Sequence, residues 1–586
     1  MNRILSREIG YARAPGDFDW LEKNIPCRAG CPAGTDIPGY LAAIARGDYD
    51  EAYRINLRDN VFPGVLGRVC PRPCEPPCRH GWEGLGEPVA ICHSKRAASD
   101  LRKGPRSVVL PRLFSPTGKR IGIVGAGAAG LAAARDLSLF GHAVTVFERH
   151  AHAGGMMRQG IPQFRLPRDV VEAEIHQIED MPVEIRCGVA VGESPTLSEL
   201  LSNFEAVIIA AGTLRPAIPP IPGVDLEGVE AGLPFLFEVN ENGHRNVGTR
   251  VVVIGGGFTA IDCARSARML GARDVAVYYR RSIAELYIMR EELAEMEEEG
   301  IPLVTLARPR AFTGEGGTLR SVRFVRTRLE GTSAAGKAGQ QVVDIPGSEF
   351  EIEADRVLLA TGQSPERSWL GQGILESMEP LDRITGSTAI PGLFVAGDFA
   401  LGPSTLIEAI GQARRCARAV DCRLMGTERI RDSAFIRQGR THPRTRAMDF
   451  LPREKMPILP VRKRQAMAEV EKGFPEEAAR REASRCYLCH YKYEIDMSRC
   501  IYCDQCFQVK PRPECIIKVE RVQRDSGGRI TGWSLHEPRL HEERAFDYFI
   551  NSEDCIRCNA CLEVCPVQCI DVQMVSGTEY HPDEEG

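Results

Sequence analysis

Cysteine is the chemical outlier of this 586-residue chain: of 21, six lie between Cys27 and Cys92, four from Cys187 to Cys422 and eleven from Cys486 to Cys569. Disulfide scaffolds of such density are short secreted chains, whereas cysteines crowded into parts of a large chain point to metal or redox chemistry. Cys555, Cys558, Cys561 and Cys565, with Pro566, form C-x2-C-x2-C-x3-C-P, a run that binds [4Fe-4S] clusters. A second run, Cys500, Cys503 and Cys506, is followed by Cys515. In two-cluster proteins the fourth cysteine of each run serves the other cluster. The spacing therefore assigns Cys500, Cys503, Cys506 and Cys565 to one cluster, and Cys555, Cys558, Cys561 and Cys515 to the other. Zinc would need two C-x2-C pairs, and three-cysteine runs closed by proline fit four-iron clusters better. The span before Cys515 is longer than usual, which leaves the path of that loop open.

Two glycine-rich loops supply a second chemistry. GAGAAG places Gly125, Gly127 and Gly130 between the strand RIGIV and a helix, where glycines permit a tight turn and bring a pyrophosphate onto the helix N-terminus. About 20 residues on, a second strand ends at Glu148, placed to accept hydrogen bonds from a ribose. The plain alternative, a tight-packed turn, leaves strand, helix and acid in register unexplained. GGGFTA repeats the arrangement with Gly255, Gly257 and Ala260 after RVVVI. Its second strand runs VAVYYRRS, so Arg280 and Arg281 stand where an acid would hold the 2′-hydroxyl of NAD(H). Guanidinium groups there favour a 2′-phosphate, hence NADP(H), unless they pair with surface carboxylates. Farther on, LFVAGDFALGPSTLIEAIGQARRCA sets Gly397 and Asp398 before a helix. A carboxylate in that turn can bind the ribityl hydroxyls of a flavin, with the helix N-terminus near Thr405 facing the ring. The plain alternative for Asp398 is a turn or cap residue.

These residues need elements to hold them. From about Lys119 to Met425 strands alternate with helices, which implies a parallel, doubly wound α/β sheet. The alanine- and charge-rich stretch near Tyr40 to Leu57 reads as helix, so the N-terminal segment is expected to be a small α-helical domain. After Met425 an arginine-rich, proline-punctuated linker with solvated charges precedes a helix in FPEEAARREASRC. A prior of about 150 residues per domain suggests roughly four domains. The expected fold class is α/β. It has two Rossmann-like dinucleotide-binding domains, an N-terminal α-helical iron-sulfur domain and a C-terminal α+β domain of the bacterial ferredoxin kind. The expected boundaries are residues 1–115 for the helical iron-sulfur domain, 116–245 and 361–425 for the two parts of the FAD-binding domain, and 246–360 for the NAD(P)-binding domain. Residues 426–485 form the linker and helix, and 486–586 the ferredoxin-like domain. Apolar residues at 43% and charged ones at 26% are the balance of a globular protein, not a disordered one. A net charge of -5 gives no basic field for nucleic acid or an anionic membrane. No apolar run approaches the roughly 20 residues of a membrane span. MNRILSREIGYARAPGDFDW carries charges where a secretory segment would be apolar, so a cytoplasmic location is expected.

The middle of the chain resembles the two-dinucleotide-domain flavoproteins. Gly154 and Gly155 follow Glu148 in HAGGMMR, then GIPQFRLP, a continuation that implies FAD at the first site, with Arg149, Gly155 and Arg158 among the residues binding it. ADRVLLATGQSP resembles the strand and turn that bring the chain back from the nicotinamide domain. The disulfide variant of that family is missing, since the pyridine-nucleotide half offers only Cys263 and no C-x2-C. Electrons must leave by another route. PCRAGCPAGTDIPGY and the following VCPRPCEPPCRHG resemble the cluster domain of the glutamate synthase small subunit and the matching N-terminal part of dihydropyrimidine dehydrogenase. With the flavin core, this resemblance covers residues 1 to about 425. It implies two [4Fe-4S] clusters, one held by Cys27 and Cys78, the other by Cys31, Cys70 and Cys74.

This chain departs from that family twice. The family has a C-x2-C shortly before the position of Cys27, where GDFDWLEKNIP has none. EEAARREASRCYLC looks like the helix that carries the pair, displaced along the chain, so Cys486 and Cys489 are expected to complete the cluster of Cys27 and Cys78. The rival reading is a small zinc or free-thiol site. The fourth ligand of the other cluster is a Gln or Glu in the family, and the aligned residue is Lys95, which cannot ligate iron as an ammonium. Cys92, three residues earlier on the same helix face, is expected to replace it.

The expected chemistry is hydride transfer between NAD(P)H and FAD, then single-electron transfer through four [4Fe-4S] clusters, for which no acid or base catalyst is required. An NADPH:ferredoxin oxidoreductase is the first reading. The alternative is an electron-transfer subunit, within a hetero-oligomer, of a 2-oxoacid, aldehyde or formate oxidoreductase or of a glutamate-synthase type enzyme. Glutamate synthesis or pyrimidine reduction by the chain alone is disfavoured, because the roughly 60 residues between flavin core and ferredoxin domain cannot hold a barrel of about 250. An inert flavin-binding scaffold is disfavoured by the complete loops and cysteine runs. Four clusters leave Cys187, Cys263, Cys416, Cys422 and Cys569 spare.

Overall fold

Valine, isoleucine and alanine fill the strands AVII and RVVVI almost end to end, the pattern of a parallel sheet covered by helices on both faces. In a computed structural model, residues 12–578 are described except 14, 83, 106, 109, 287, 332–339, 431, 440–441, 525, 527–529 and 537–545. Much of the opening segment, on which the expectation about secretion rests, lies outside the described residues. The first sheet runs in the order Leu393–Val395, Ala206–Ile209, Arg120–Val124, Ala143–Glu148, Val183–Cys187, parallel throughout. The second runs Leu303–Thr305, Asp274–Tyr279, Arg250–Ile254, Arg356–Leu359, Val229–Ala231, again all parallel. A two-stranded ribbon, Arg215–Pro216 with Gln363–Ser364, carries the chain out of the first unit and back into it. The returning strand Leu393–Val395 then closes the first sheet.

An antiparallel sheet built on Ala307–Glu315 and Thr318–Glu330, with Gln341–Asp344 and Phe350–Glu353, covers the second unit. The strand-helix alternation does not announce it. Phe324, with Tyr278 stacked 4.2 Å away, anchors it to the parallel sheet. The stretch near Tyr40 to Leu57 is two helices, Ile37–Arg46 and Tyr49–Asn60, not one. Gly47 turns left-handed at φ +82° to end the first, and Asp48 caps the second by accepting from the Glu51 N–H at 3.0 Å, the usual stop and start chemistry.

The linker also differs from expectation. Ser433–Gly439 is a strand, paired with Ile570–Thr578, which pairs on its other side with Tyr491–Ile495. Its arginines are not all solvated. Arg464 is buried against Glu298 and Glu299, each at 2.7 Å, and Arg444 is buried beside Asp449 at 2.5 Å. Opposite charges on the nucleotide-binding unit and within the linker draw them inward. The helix Glu476–Ser484 turns Ala479 and Ala483 into the core and packs on Ile37–Arg46. Buried Glu482 fixes it by accepting from the Ala90 N–H at 2.7 Å and pairing with Arg485 at 2.7 Å. No described helix is long and apolar enough to cross a membrane.

Candidate functional site

In the first nucleotide loop each glycine has a separate reason. Gly125 has φ +106°, and a Cβ there would lie 2.5 Å from the Ala210 carbonyl oxygen. At Gly130 a Cβ would collide with the Gly125 carbonyl, so strand and helix could not close. Gly127 faces open space, with only the Gly155 Cα, 3.9 Å away, near its would-be Cβ. That opening is a cradle of the kind a pyrophosphate occupies. Buried Glu148 braces it, accepting from the Ala126 N–H at 2.8 Å and the His150 N–H at 2.9 Å. Arg149 is exposed and donates to the His150 ring at 3.1 Å, and Arg158 is paired with Glu172 at 2.7 Å.

The turn at Gly397 and Asp398 arrives from the far end of the unit. Gly397 has φ +62° and its N–H donates to Gln412 Oε1 at 2.7 Å. The Asp398 carboxylate accepts from Thr213 Oγ1 at 3.3 Å and from the Ser404 hydroxyl at 2.5 Å. Burial raises its pKa, against those two hydrogen bonds. Thr405 caps the helix Leu406–Met425 in a reciprocal box with Glu408. Its hydroxyl is therefore engaged locally. An open cradle, a braced acid and a half-buried carboxylate that accepts from two hydroxyls fit a flavin dinucleotide.

In the second loop a Cβ at Gly255 would collide with the Ala360 carbonyl oxygen, and Ala260 is fully buried nearby. Gly257 has nothing within 4 Å of its would-be Cβ. The ring of Tyr279 lies over Gly256. Arg280, exposed, and Arg281, half-buried, leave the adjoining strand at this mouth. Their carbonyls accept from Thr327 Oγ1 at 2.8 Å and the Leu306 N–H at 3.0 Å.

None of the 21 cysteines forms a disulfide. Cys31, Cys70 and Cys74 line one cavity with Tyr40, Lys95 and Ile407. Cys92 joins them: hydrogen bonds from Cys70 and Cys74 hold its thiol well below the ordinary range against burial, with Lys95 and Arg72 assisting. Cys27 has Cys489, Cys78 and Cys486 as neighbours, and burial followed by those three thiols pushes it up. Cys500, Cys503, Cys506 and Cys565 line another cavity, where burial and its neighbours push Cys506 up to about 11. Cys515, Cys555, Cys558 and Cys561 line the last, and burial pushes Cys515 up to about 12. Each expected foursome is thus assembled, the displaced pair Cys486 and Cys489 included. Among the described residues no three His, Cys, Asp or Glu side chains are drawn together as a single metal ion requires. Two of the foursomes, and three thiols of the Cys31 group, instead stand around voids, and thiols set about a void suit a cluster larger than one ion. Cys263 and Cys416 are buried in separate cores, and Cys187 and Cys422 are exposed. Cys569 is less idle than its spare count suggests, since it lines the cavity of Cys500 with its Sγ 3.6 Å from that of Cys565.

The foursomes lie in series, and the spacing of the cysteines does not point to the residues between them. Ile407, two positions after Thr405, lines the Cys31 cavity. The cluster domain is clamped there, because Arg414 donates to the carbonyls of Ala33 at 3.2 Å and Asp59 at 3.1 Å. Tyr40, fully buried, is flanked by Cys74, Cys92, Cys27 and Cys31 and donates to the Ile91 carbonyl at 3.2 Å. Arg79 and Arg557, each 1% exposed, sit between the Cys27 and Cys555 groups, with Arg557 also donating to Asn24 Oδ1 at 3.0 Å. Burial and then Arg557 lower Arg79 to about 10, opposed by Cys489 and Cys555. Among the described residues neither guanidinium has a carboxylate in ion-pair range. From there Cys506 acts on Cys561, linking the last two groups.

Three family descriptions match the chain: pyridine nucleotide-disulphide oxidoreductase over residues 119–413, dihydropyrimidine dehydrogenase domain II, 4Fe-4S cluster, over 22–105, and 4Fe-4S binding domain over 548–571. The NADP(+)-dependent formate dehydrogenase subunit beta of Moorella thermoacetica is 35% identical over 515 residues, covering 80% of this chain and 71% of that one. NADPH-Fe(3+) oxidoreductase subunit beta of Geobacter sulfurreducens is 33% identical, covering 80% and 75%. The glutamate synthase [NADPH] small chain of Mycobacterium tuberculosis is 34% identical, covering 70% and 88%. The protein is an FAD-dependent NAD(P)H oxidoreductase with 4Fe-4S domains at both ends. Both dinucleotide loops, the ribbon that joins their sheets and half of the residues fall within the first match, and the chain belongs to the pyridine nucleotide-disulphide oxidoreductase family.

Proposed function

We propose that the chain is the NADP(H)-facing subunit of a hetero-oligomeric oxidoreductase, exchanging electrons with a catalytic partner subunit through FAD and four [4Fe-4S] clusters. The observation that carries this reading is the serial order of the four cysteine foursomes, from the helix Leu406–Met425 to exposed Cys503. When bound, FAD exchanges a hydride with nicotinamide and single electrons with iron-sulfur clusters. Cys31, Cys70, Cys74 and Cys92 would hold the cluster nearest the flavin, and Cys27, Cys78, Cys486 and Cys489 the next. Cys515, Cys555, Cys558 and Cys561, then Cys500, Cys503, Cys506 and Cys565, would hold the two beyond.

The chain's own residues do the positioning. Glu148 braces the first loop, Gly127 leaves room for a pyrophosphate, and Asp398 would accept from the ribityl hydroxyls of a bound flavin. Arg280 and Arg281 meet a 2′-phosphate with charge-assisted hydrogen bonds, and the relatives named for NADP(+) and NADPH support the same preference. Ile407 makes an apolar wall that excludes water between flavin site and first foursome. Arg79 and Arg557 are buried charges that need compensation, and anionic clusters held on either side would provide it. The two relatives named as beta subunits support a catalytic partner.

Anaerobic purification with metal and flavin analysis tests the reading. The expected result is about sixteen irons and one FAD per chain, with the flavin bleached by NADPH at lower concentration than by NADH. About eight irons per chain would remove two of the clusters. Co-purification from the native source tests the partner: a catalytic subunit supports the reading, and a ferredoxin as sole acceptor overturns it.

A further inference from the structure

We propose that Lys95, with Asn60 and Thr35, sets the reduction potential of the cluster nearest the flavin and makes that cluster an acceptor for flavin electrons. The proposal rests on the cluster reading above. Lys95 is 3% exposed and lines the same cavity as Cys31, Cys70 and Cys74. Its ammonium donates to Asn60 Oδ1 at 2.9 Å, its one acceptor among the described residues, and no carboxylate stands in ion-pair range. The Asn60 amide donates onward to Thr35 Oγ1, and Thr35 Oγ1 lies 3.2 Å from Cys31 Sγ. A hydrogen-bonded relay therefore runs from a buried cation to one of the four sulfurs.

A buried charge without a partner is expensive, and here the compensation comes from the cavity. Cys31, Cys70 and Cys74 line that cavity with Lys95, and as thiolates they would supply the opposite charge. Two levers on a cluster potential are local net charge and hydrogen bonding to the sulfurs. Lys95 pulls the first and the Asn60–Thr35 relay the second, and both favour the form carrying one more electron. A fourth thiolate adds negative charge at the cluster, which disfavours taking one more electron. A fixed cation at the position aligned with a family ligand offsets the charge that Cys92 brings.

The test is a redox titration of the anaerobic full-length protein followed by paramagnetic resonance, with iron counted in every sample. The cluster concerned is the one whose signal disappears in Cys92→Ala. In Lys95→Met its midpoint is expected to fall by an amount equal to at least a tenfold loss in the equilibrium for taking an electron, 59 mV for one electron. The other midpoints and the iron content are expected to stay in place. Thr35→Val is expected to lower the same midpoint by less, and Lys95→Arg to keep it. An unmoved midpoint in Lys95→Met with full iron overturns the proposal and leaves the cluster reading standing. If Lys95→Met loses iron, Asn60→Asp takes its place, since it keeps the ammonium and sets a carboxylate against it. An unmoved midpoint there is equally fatal. If no signal disappears in Cys92→Ala, the cluster reading itself fails and the proposal with it.

Discussion

Arg79 and Arg557, two buried guanidinium groups 478 positions apart in the chain, share the carbonyl oxygens of Ser552 and Cys555 as acceptors. Like charges meet in this way only where something else holds them, and here Asn24 accepts from Arg557 while thiols lie on both sides. The pair is the seam between the N-terminal helices and the C-terminal cysteine runs.

Replacing Arg79 by methionine takes a charged donor from two buried carbonyls and is expected to cost about 2 kcal/mol of stability. Reduction of the flavin by NADPH should be unaffected, since Arg79 is remote from both glycine loops. Electron arrival at the C-terminal clusters should slow at least tenfold. Stopped-flow absorbance after mixing with NADPH separates the two phases, and equal slowing of both would place the effect in the flavin unit.

Cys486→Ser is expected to lower the iron content from about sixteen to about twelve per chain while flavin content holds. Cys569→Ser serves as the control, because Cys569 lies beside a complete foursome and should leave iron unchanged. A full iron count in Cys486→Ser would return Cys486 and Cys489 to a free-thiol role.

Exchanging Arg280 and Arg281 together for serine removes the charged donors at the mouth of the second loop. The KM for NADPH is expected to rise roughly 10- to 100-fold with kcat little changed, and the KM for NADH to stay within twofold. Steady-state kinetics with both nucleotides, using a viologen acceptor, decides this. A parallel rise for NADH would mean the arginines shape the loop instead of reading the phosphate.

Glu174 gives a pH-dependent stability term with a definite sign. It joins the helix Arg168–Glu179 to the start of Pro63–Val69, accepting from the Gly64 N–H at 2.6 Å and the Val65 N–H at 3.0 Å. Burial, the leading cause, pushes its carboxyl up to about 7 against the backbone hydrogen bonds. The folded state therefore keeps a proton that the unfolded chain releases near its ordinary value. This contribution is fully present below about pH 4.5 and is lost as pH rises to about 7, an effect of about 3 kcal/mol. Glu174→Gln should gain in Tm relative to wild type as pH goes from 5 to 7.5. Parallel Tm curves for the two proteins would refute the assignment.

The nucleotide units were legible because their glycines answer local demands: a left-handed turn at Gly125, helix closure at Gly130 and open space at Gly127 all follow from a strand turning into a helix. The cysteine runs were legible for a similar reason, since a cluster accepts few spacings. Residues outside any motif, held by partners more than a hundred positions away, were not. The burial of Arg464 depends on Glu298 and Glu299, and the strand Ser433–Gly439 on an edge offered by Ile570–Thr578. Tyr40, Arg79 and Arg557 take their place from three-dimensional neighbours and carry no spacing of their own. The division of the Tyr40 to Leu57 stretch could have been read from Gly47 followed by Asp48, a stop and a start side by side.

The docking of the helix Glu476–Ser484 on Ile37–Arg46 has a consequence for biosynthesis. The N-terminal helices leave the ribosome first, but the surface they must cover arrives 440 residues after Arg46, when Cys486 emerges. At about 5–20 residues per second that is a wait of about 20 to 90 seconds. Through that interval the nascent chain presents an unfinished apolar face and thiols without their last neighbours, so the N-terminal helices, made before the nucleotide-binding units, are completed after them.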